Sequence, residues 1–86
     1  RIPFGSLVEL GIIKPGTTIF DNKKKISAKI MADGSIKHAQ TEGSIHKVAA
    51  TILGAESCNG WTYWHYNLNG TVVPIDNLRQ RLVNNS

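Results

Sequence analysis

Apolar positions recur along this chain at two different periods, and the switches between them mark its elements. Phe4, Leu7 and Val8 are spaced i, i+3, i+4, which predicts a short helix with Pro3 near its start and Gly11 as its left-handed cap. Lys14-Pro15-Gly16 breaks the pattern, and the β-branched and aromatic run Thr17-Thr18-Ile19-Phe20 predicts a strand. From Ile26 to Ala32 the apolar residues fall on even positions, the period of a half-buried strand. Asp33-Gly34 signals a two-residue hairpin turn, with a return strand from Ser35 to about Ala39. The clearest helix follows Ser44, a capping residue, with Ile45, Val48, Ala49, Ile52 and Leu53 on one stripe and Gly54 at its end. Trp61 to Leu68 reads as a strand, Asn69-Gly70 as a second tight turn and Thr71-Val72-Val73 as its partner. Pro74 stops that strand. Asp76 caps a last helix with Leu78, Leu82 and Val83 inward and Arg79 and Arg81 outward.

These elements make an α+β fold: one small domain with about five short, mostly antiparallel strands in hairpins, packed with three helices. No strand–helix–strand unit is long enough for a doubly wound parallel sheet. At 86 residues the chain is one domain, residues 1–86 with a core of about 4–83, and a domain of this size hides only about 60% of its unfolded surface. Opening on Arg1 rather than Met, it is expected to be a piece of a longer protein.

Composition narrows the function classes. The chain is 41% hydrophobic and 19% charged, a globular rather than a disordered balance. No apolar run approaches the roughly 18 residues of a membrane span, and no signal peptide opens the chain. Its single cysteine, Cys58, excludes an internal disulfide framework and fits a reducing cytoplasm. The net charge of +4 suggests an anionic partner without identifying one.

Catalysis has little support. Cys58 with His46 or His65 could form a thiol–base pair, but a lone cysteine is more simply a structural one. Cys58, His38, His46 and His65 lack the tight paired spacings of a zinc site. No phosphate-binding glycine loop is present, and the six acidic residues are scattered. Asn69-Gly70-Thr71 and Asn84-Asn85-Ser86 match a glycosylation triplet, yet the first is better explained as a turn and the second as a tail.

Binding is better supported. Trp61, Tyr63, Trp64 and Tyr66 lie within six positions. On a strand, Trp61 and Tyr63 share one face while Trp64 and Tyr66 share the other. A small core should bury one of these faces and leave the other for stacking on bases, the alternative being that all four rings pack under the helices. The start of the Ser44 helix offers free N–H groups beside Ser44, His46 and Lys47, which suits a phosphate or a base edge, though an ordinary Ser44 cap with solvated His46 and Lys47 explains the spacing as well. Asn59 can pair with adenine, though Asn59-Gly60 is also a turn dipeptide. Arg79 and Arg81 can meet phosphates or simply keep a surface soluble. Lys23-Lys24-Lys25 carries only nonspecific attraction to phosphate.

Gly43-Ser44-Ile45-His46, then Ser57-Cys58-Asn59-Gly60-Trp61-Thr62-Tyr63-Trp64-His65, then Pro74-Ile75-Asp76-Asn77-Leu78-Arg79 together resemble one family. It is the C-terminal domain of the cell-cycle-regulated DNA adenine methyltransferases of alphaproteobacteria. The same module, the restriction-enzyme and adenine-methylase associated (RAMA) domain, occurs in a wider set of restriction-modification proteins. Leu7 to Gly16 and Ala32 to Ile36 fit as well, so the resemblance runs from about Phe4 to Arg81. Tyr63, where Phe is more usual, and Ala49-Ala50, where a Gly-containing pair is expected, depart from the pattern.

The resemblance implies a parent enzyme, bacterial, cytoplasmic and nucleoid-associated, that methylates adenine N6 within GANTC sites using S-adenosylmethionine. Neither its cofactor loop nor its Asp/Asn-Pro-Pro-Tyr/Trp motif is in this sequence. The chain itself is therefore expected to be non-catalytic and without a cofactor, with DNA and the catalytic domain of the same polypeptide as partners and no membrane. By analogy the DNA contacts are Ser44, His46, Asn59, Trp61 and Arg79, to which the helix start adds Lys47 and the aromatic run adds Trp64. Two other readings remain open: a structural or dimerisation appendage, with a homodimeric parent, and a nonspecific single-strand binder.

Overall fold

The computed structural model describes residues 2–84. Six strands and four helices follow in the order α1 (Phe4–Glu9), β1 (Thr18–Phe20), β2 (Ser27–Ile30), β3 (Ile36–His38), β4 (Thr41–Gly43), α2 (Ile45–Leu53), α3 (Gly60–Tyr63), β5 (His65–Leu68), β6 (Thr71–Pro74) and α4 (Asp76–Asn84). The α+β class and the antiparallel hairpins match expectation, with one more strand and one more helix. All strands form a single antiparallel sheet in the order β4-β3-β2-β1-β5-β6. Strands β1 to β4 run as a meander. The chain then returns through α2 and α3 so that β5 pairs on the free side of β1 at Phe20 and His65.

Register follows from which side chains must be hidden, because a slip of one residue would turn the apolar set outward. Ile19 stands beside Ala28, and Ile30 beside Ile36, all buried on the face that the helices cover. The opposite face carries Thr18, Lys29, Lys37 and Glu42 across four strands, and all four are exposed. The tripled lysine loop is tied down by Asp21, whose Oδ1 accepts the Lys25 N–H at 2.7 Å and the Ile26 N–H at 3.2 Å.

Several local expectations hold with their physical causes visible. In α1 the amides of Gly11 and Ile12 donate back to Val8 and Leu7, and Gly11 sits at φ 74°; this is the paired 5→2 and 6→1 closure that a left-handed glycine permits. The Ser44 hydroxyl caps α2 by accepting the Lys47 N–H at 3.0 Å. Asn69 and Gly70 both have positive φ, 52° and 91°, as a type I′ turn demands.

Other expectations are corrected. At Asp33-Gly34 only the glycine has positive φ. Gly34 donates to the Met31 carbonyl and Met31 to that of Ser35, so the connection is a longer loop with a left-handed glycine. The Ser35 hydroxyl and amide both donate to Asp33, holding its carboxyl below the usual range. Strand β2 therefore ends at Ile30, and Ala32 is exposed. Strand β4 carried no turn signal, because its hairpin is made by Ala39-Gln40 with Ala39 at φ 53°. Leu53 and Val83, assigned to apolar stripes, are 56% and 51% exposed. Each lies in the last turn of its helix.

The largest correction falls on the aromatic segment. Gly60–Tyr63 is helical, and β5 begins only at His65. The Asn59 side chain starts this turn by accepting the Trp61 N–H at 3.1 Å. Because the turn rotates the rings off a strand's two faces, the core takes in Trp61, Trp64 and Tyr66 together. No exposed aromatic face results.

What holds α3 in place is a contact with no side chain. Gly60 backs onto the first residue of α2 so closely that a Cβ there would lie 2.5 Å from the Ile45 carbonyl carbon and 2.6 Å from its oxygen. The same oxygen accepts the Trp64 indole N–H at 3.0 Å. Gly60→Ala is expected to destabilise the fold by roughly 3 kcal/mol, the upper range for overpacking. Urea unfolding followed by tryptophan fluorescence reads this directly, and a variant as stable as the parent would contradict the close approach.

Candidate functional site

Two sequence segments far apart in the chain meet at the start of α2. Gly43 to His46 leads into that helix, and Cys58 to Trp64 wraps against it through α3. The Gly60 N–H donates to His46 Nδ1 at 2.9 Å. An amide can only donate, so Nδ1 must carry a lone pair and the proton of the neutral ring sits on Nε2. His46 is thus a fixed donor on an otherwise exposed residue. Asn59 uses Oδ1 to cap α3, which leaves its amide NH2 as free donors.

Arg79 comes from the third segment. Its guanidinium carbon lies 4.5 Å from the centroid of the Trp61 ring, and its Nη2 lies 2.5 Å from Asp76 Oδ1 across one turn of α4. Asp76 Oδ1 is closed off from solvent and makes no aligned hydrogen bond, so Arg79 is its electrostatic partner. The sequence predicts Asp76 as a helix cap, but α4 already begins at that residue, and the carboxylate serves the guanidinium. An acid and an arginine three apart in a helix share a face, which is the sequence signal for this pair.

The arrangement gathers His46, Asn59, Trp61 and Arg79, with Ser57 and Cys58, around one depression of about 400 Å³. Ser44 and Lys47 flank His46 on its other side, in a second depression. Ser44, His46, Lys47 and Asn59 are exposed, and Arg79 is half-buried. Trp61 is 6% exposed, with the Phe4 ring edge-on at 5.9 Å and Arg79 over its face. Trp64 is 0% exposed. Both tryptophans expected to touch DNA are thus buried in this fold, where Trp61 supports Arg79 and Trp64 ties α3 to α2.

The remaining candidates lie elsewhere. Lys23 lines a different depression with Ile26, Tyr63 and His65, and Lys24 Nζ stands 5.2 Å over Phe20. Burial pushes the Tyr63 phenol up, with the charges of Asp21 and Cys58 adding to it, so it stays protonated near neutral pH. Arg81 lies at a fourth depression, on the other side of α4. The three imidazoles serve separate partners: the Gly60 amide for His46, the Ser27 carbonyl for His38 and the Tyr63 carbonyl for His65. Among the described residues no three His, Cys, Asp or Glu side chains gather to hold a metal ion. No helix among them is long and apolar enough to cross a membrane.

Fold and site together define a small α+β module that offers hydrogen-bond donors from three segments at one rim. Over residues 1–86 the chain matches the family described as Restriction Enzyme Adenine Methylase Associated, RAMA, and it belongs to that family. It is also 30% identical over 84 residues to the type II methyltransferase M.HinfI of Haemophilus influenzae. That alignment covers 98% of this chain but only 23% of the relative. The chain is thus a methyltransferase-associated module.

The His46 arrangement has a spectroscopic signature. Nitrogen-15 spectra at neutral pH are expected to show Nε2 protonated and Nδ1 bare. His46→Ala should cost about 1–2 kcal/mol in urea unfolding, because it orphans the Gly60 N–H at a buried residue. An Nδ1-protonated tautomer would remove the basis for His46 as a fixed outward donor.

Proposed function

We propose that this chain is the DNA-recognition module of a site-specific DNA adenine-N6 methyltransferase. It binds duplex DNA at GANTC sites and assists base readout and strand opening. Methylation belongs to a catalytic domain of the same polypeptide that binds S-adenosylmethionine. The observation that carries this reading is the convergence of His46, Asn59 and Arg79 on one depression, each with part of its polar group already engaged and the rest directed by that engagement. Oriented donors suit base edges and phosphate oxygens, both rich in acceptors.

Lys47 and the first turn of α2 supply the phosphate contact. Lys47 is exposed, and the opening amides of a helix favour an anion. The net charge of +4 supports the same partner. The single-strand reading loses its support, since it relied on exposed rings and Trp61, Trp64 and Tyr66 are buried.

A second reading concerns the other side of α4. There Ile12, Tyr66, Leu68, Leu78 and Leu82 line a groove with Arg81, and neighbouring Leu10 in the α1 closure is 63% exposed. This surface suits packing against a catalytic domain or a second copy.

The test is a titration of the chain into labelled DNA at two salt concentrations, with a GANTC duplex, a scrambled duplex and a single strand. A preference for the GANTC duplex and a steep salt slope are the expected result. Lys47→Ala should weaken both duplexes alike and make the slope shallower by about one phosphate contact. Asn59→Ala should narrow the gap between the duplexes by roughly 1–3 kcal/mol. Absence of salt-sensitive binding, with mass that rises with concentration, would favour the appendage reading instead.

A further inference from the structure

Arg79 differs from every other cation described here in having its charge answered within the fold. The Arg79–Asp76 contact is the one ion pair among the described residues. The two side chains are 27% and 26% exposed, and the carboxylate oxygen in the pair is shut off from water. The guanidinium is held on one side by the Trp61 ring and at one nitrogen by Asp76. What remains free is a set of N–H donors at the rim shared with Asn59 and His46.

That environment weakens one use of an arginine and favours another. A phosphate is drawn mainly by net charge, and here a carboxylate 2.5 Å away cancels most of the field and repels the incoming anion. An uncharged pair of acceptors does not need the field. It needs two donors in a fork at the right angle, and immobilising the fork beforehand lowers the entropy cost of using it. The base edge that presents such a pair in the major groove is guanine, through O6 and N7.

We propose that Arg79 reads a guanine edge, and that Asp76 is a positioning residue which fixes the guanidinium and suppresses its attraction to phosphate. This rests on the DNA-recognition reading above and divides the labour within it: Lys47 supplies affinity, and Arg79 supplies discrimination. The i, i+3 spacing of Asp76 and Arg79 on α4, with Trp61 delivered from α3, is the device.

The experiment compares the chain and its Arg79→Ala, Arg79→Lys and Asp76→Asn variants on three duplexes: GANTC, scrambled, and GANTC with 7-deazaguanine, which removes N7 and leaves every phosphate in place. The unaltered chain should prefer GANTC and lose roughly 5- to 150-fold on the deaza duplex, the span of one bidentate base contact. Arg79→Ala should lose that preference and no longer sense the deaza substitution. Arg79→Lys keeps the charge without the fork, so it should also lose discrimination while holding the scrambled duplex as before. Asp76→Asn should bind the scrambled duplex more tightly, with a log–log salt slope steeper by about 0.9.

Circular dichroism of each variant identifies any that fails to fold, and the deaza comparison on the unaltered chain is independent of all of them. The inference is overturned if that chain is indifferent to 7-deazaguanine. It is equally overturned if Arg79→Ala weakens all duplexes alike and flattens the salt slope, which marks a phosphate contact. Binding without sequence preference would sink the guanine assignment and leave DNA binding standing. No salt-sensitive binding to any duplex would sink the recognition reading itself.

Discussion

The close approach of Gly60 to Ile45 is the constraint from which the rest of the site follows. A glycine Cα against a carbonyl group brings the backbone of α3 to the N-terminus of α2 at a distance no other residue allows. Two hydrogen bonds then secure the contact, from the Gly60 amide to His46 and from the Trp64 indole to the Ile45 carbonyl. Each engages a polar group that burial would otherwise leave unpaired, and such groups cost more when orphaned than they contribute when paired. Two segments separated in sequence by more than ten residues thereby become one rigid corner. Asn59 and Trp61 can face His46 only because that corner is closed.

The aromatic residues take a different part from the one their clustering suggests. Four rings within six positions look like a stacking surface, yet three are buried and the fourth, Tyr63, is half-buried against Trp64. A domain this small has few large apolar side chains from which to build a core, so its tryptophans are needed inside. Their contribution to the site is indirect but definite. Trp61 holds a guanidinium over its face, and Trp64 holds two helices together. The groups left at the rim are hydrogen-bond donors, suited to acceptor-rich partners.

Charge is distributed by the same economy. Exposed lysines on the outer sheet face and in the β1–β2 loop have no carboxylate in ion-pair contact, whereas the half-buried arginine has one. Burial makes an unanswered charge expensive, and solvent makes it tolerable. The partition between general attraction and directed contact is therefore already present in where the fold puts each cation.

Much of this protein was legible in its sequence. Apolar periodicity located β2, α1, α2 and α4, since burial of one face is a local requirement that each segment states for itself, and β-branched composition located β1. Turn chemistry located Asn69-Gly70, and the capping residues Ser44, Gly11 and Gly54 marked helix ends correctly. Family resemblance singled out Ser44, His46, Asn59, Trp61 and Arg79, and the last four line one depression. Tertiary structure alone decided what each one does. Strand propensity pointed to β structure from Trp61 onward, and the packing of Gly60 against Ile45 overrode it, as propensities worth tenths of a kcal/mol yield to burial worth several. The hairpin at Ala39-Gln40 left no trace because its left-handed residue is an alanine. The tautomer of His46 and the pairing of Arg79 with Asp76 over Trp61 depend on groups brought together from α2, α3 and α4. No single segment encodes a contact whose partner lies in another, so those roles exist only once the chain has folded.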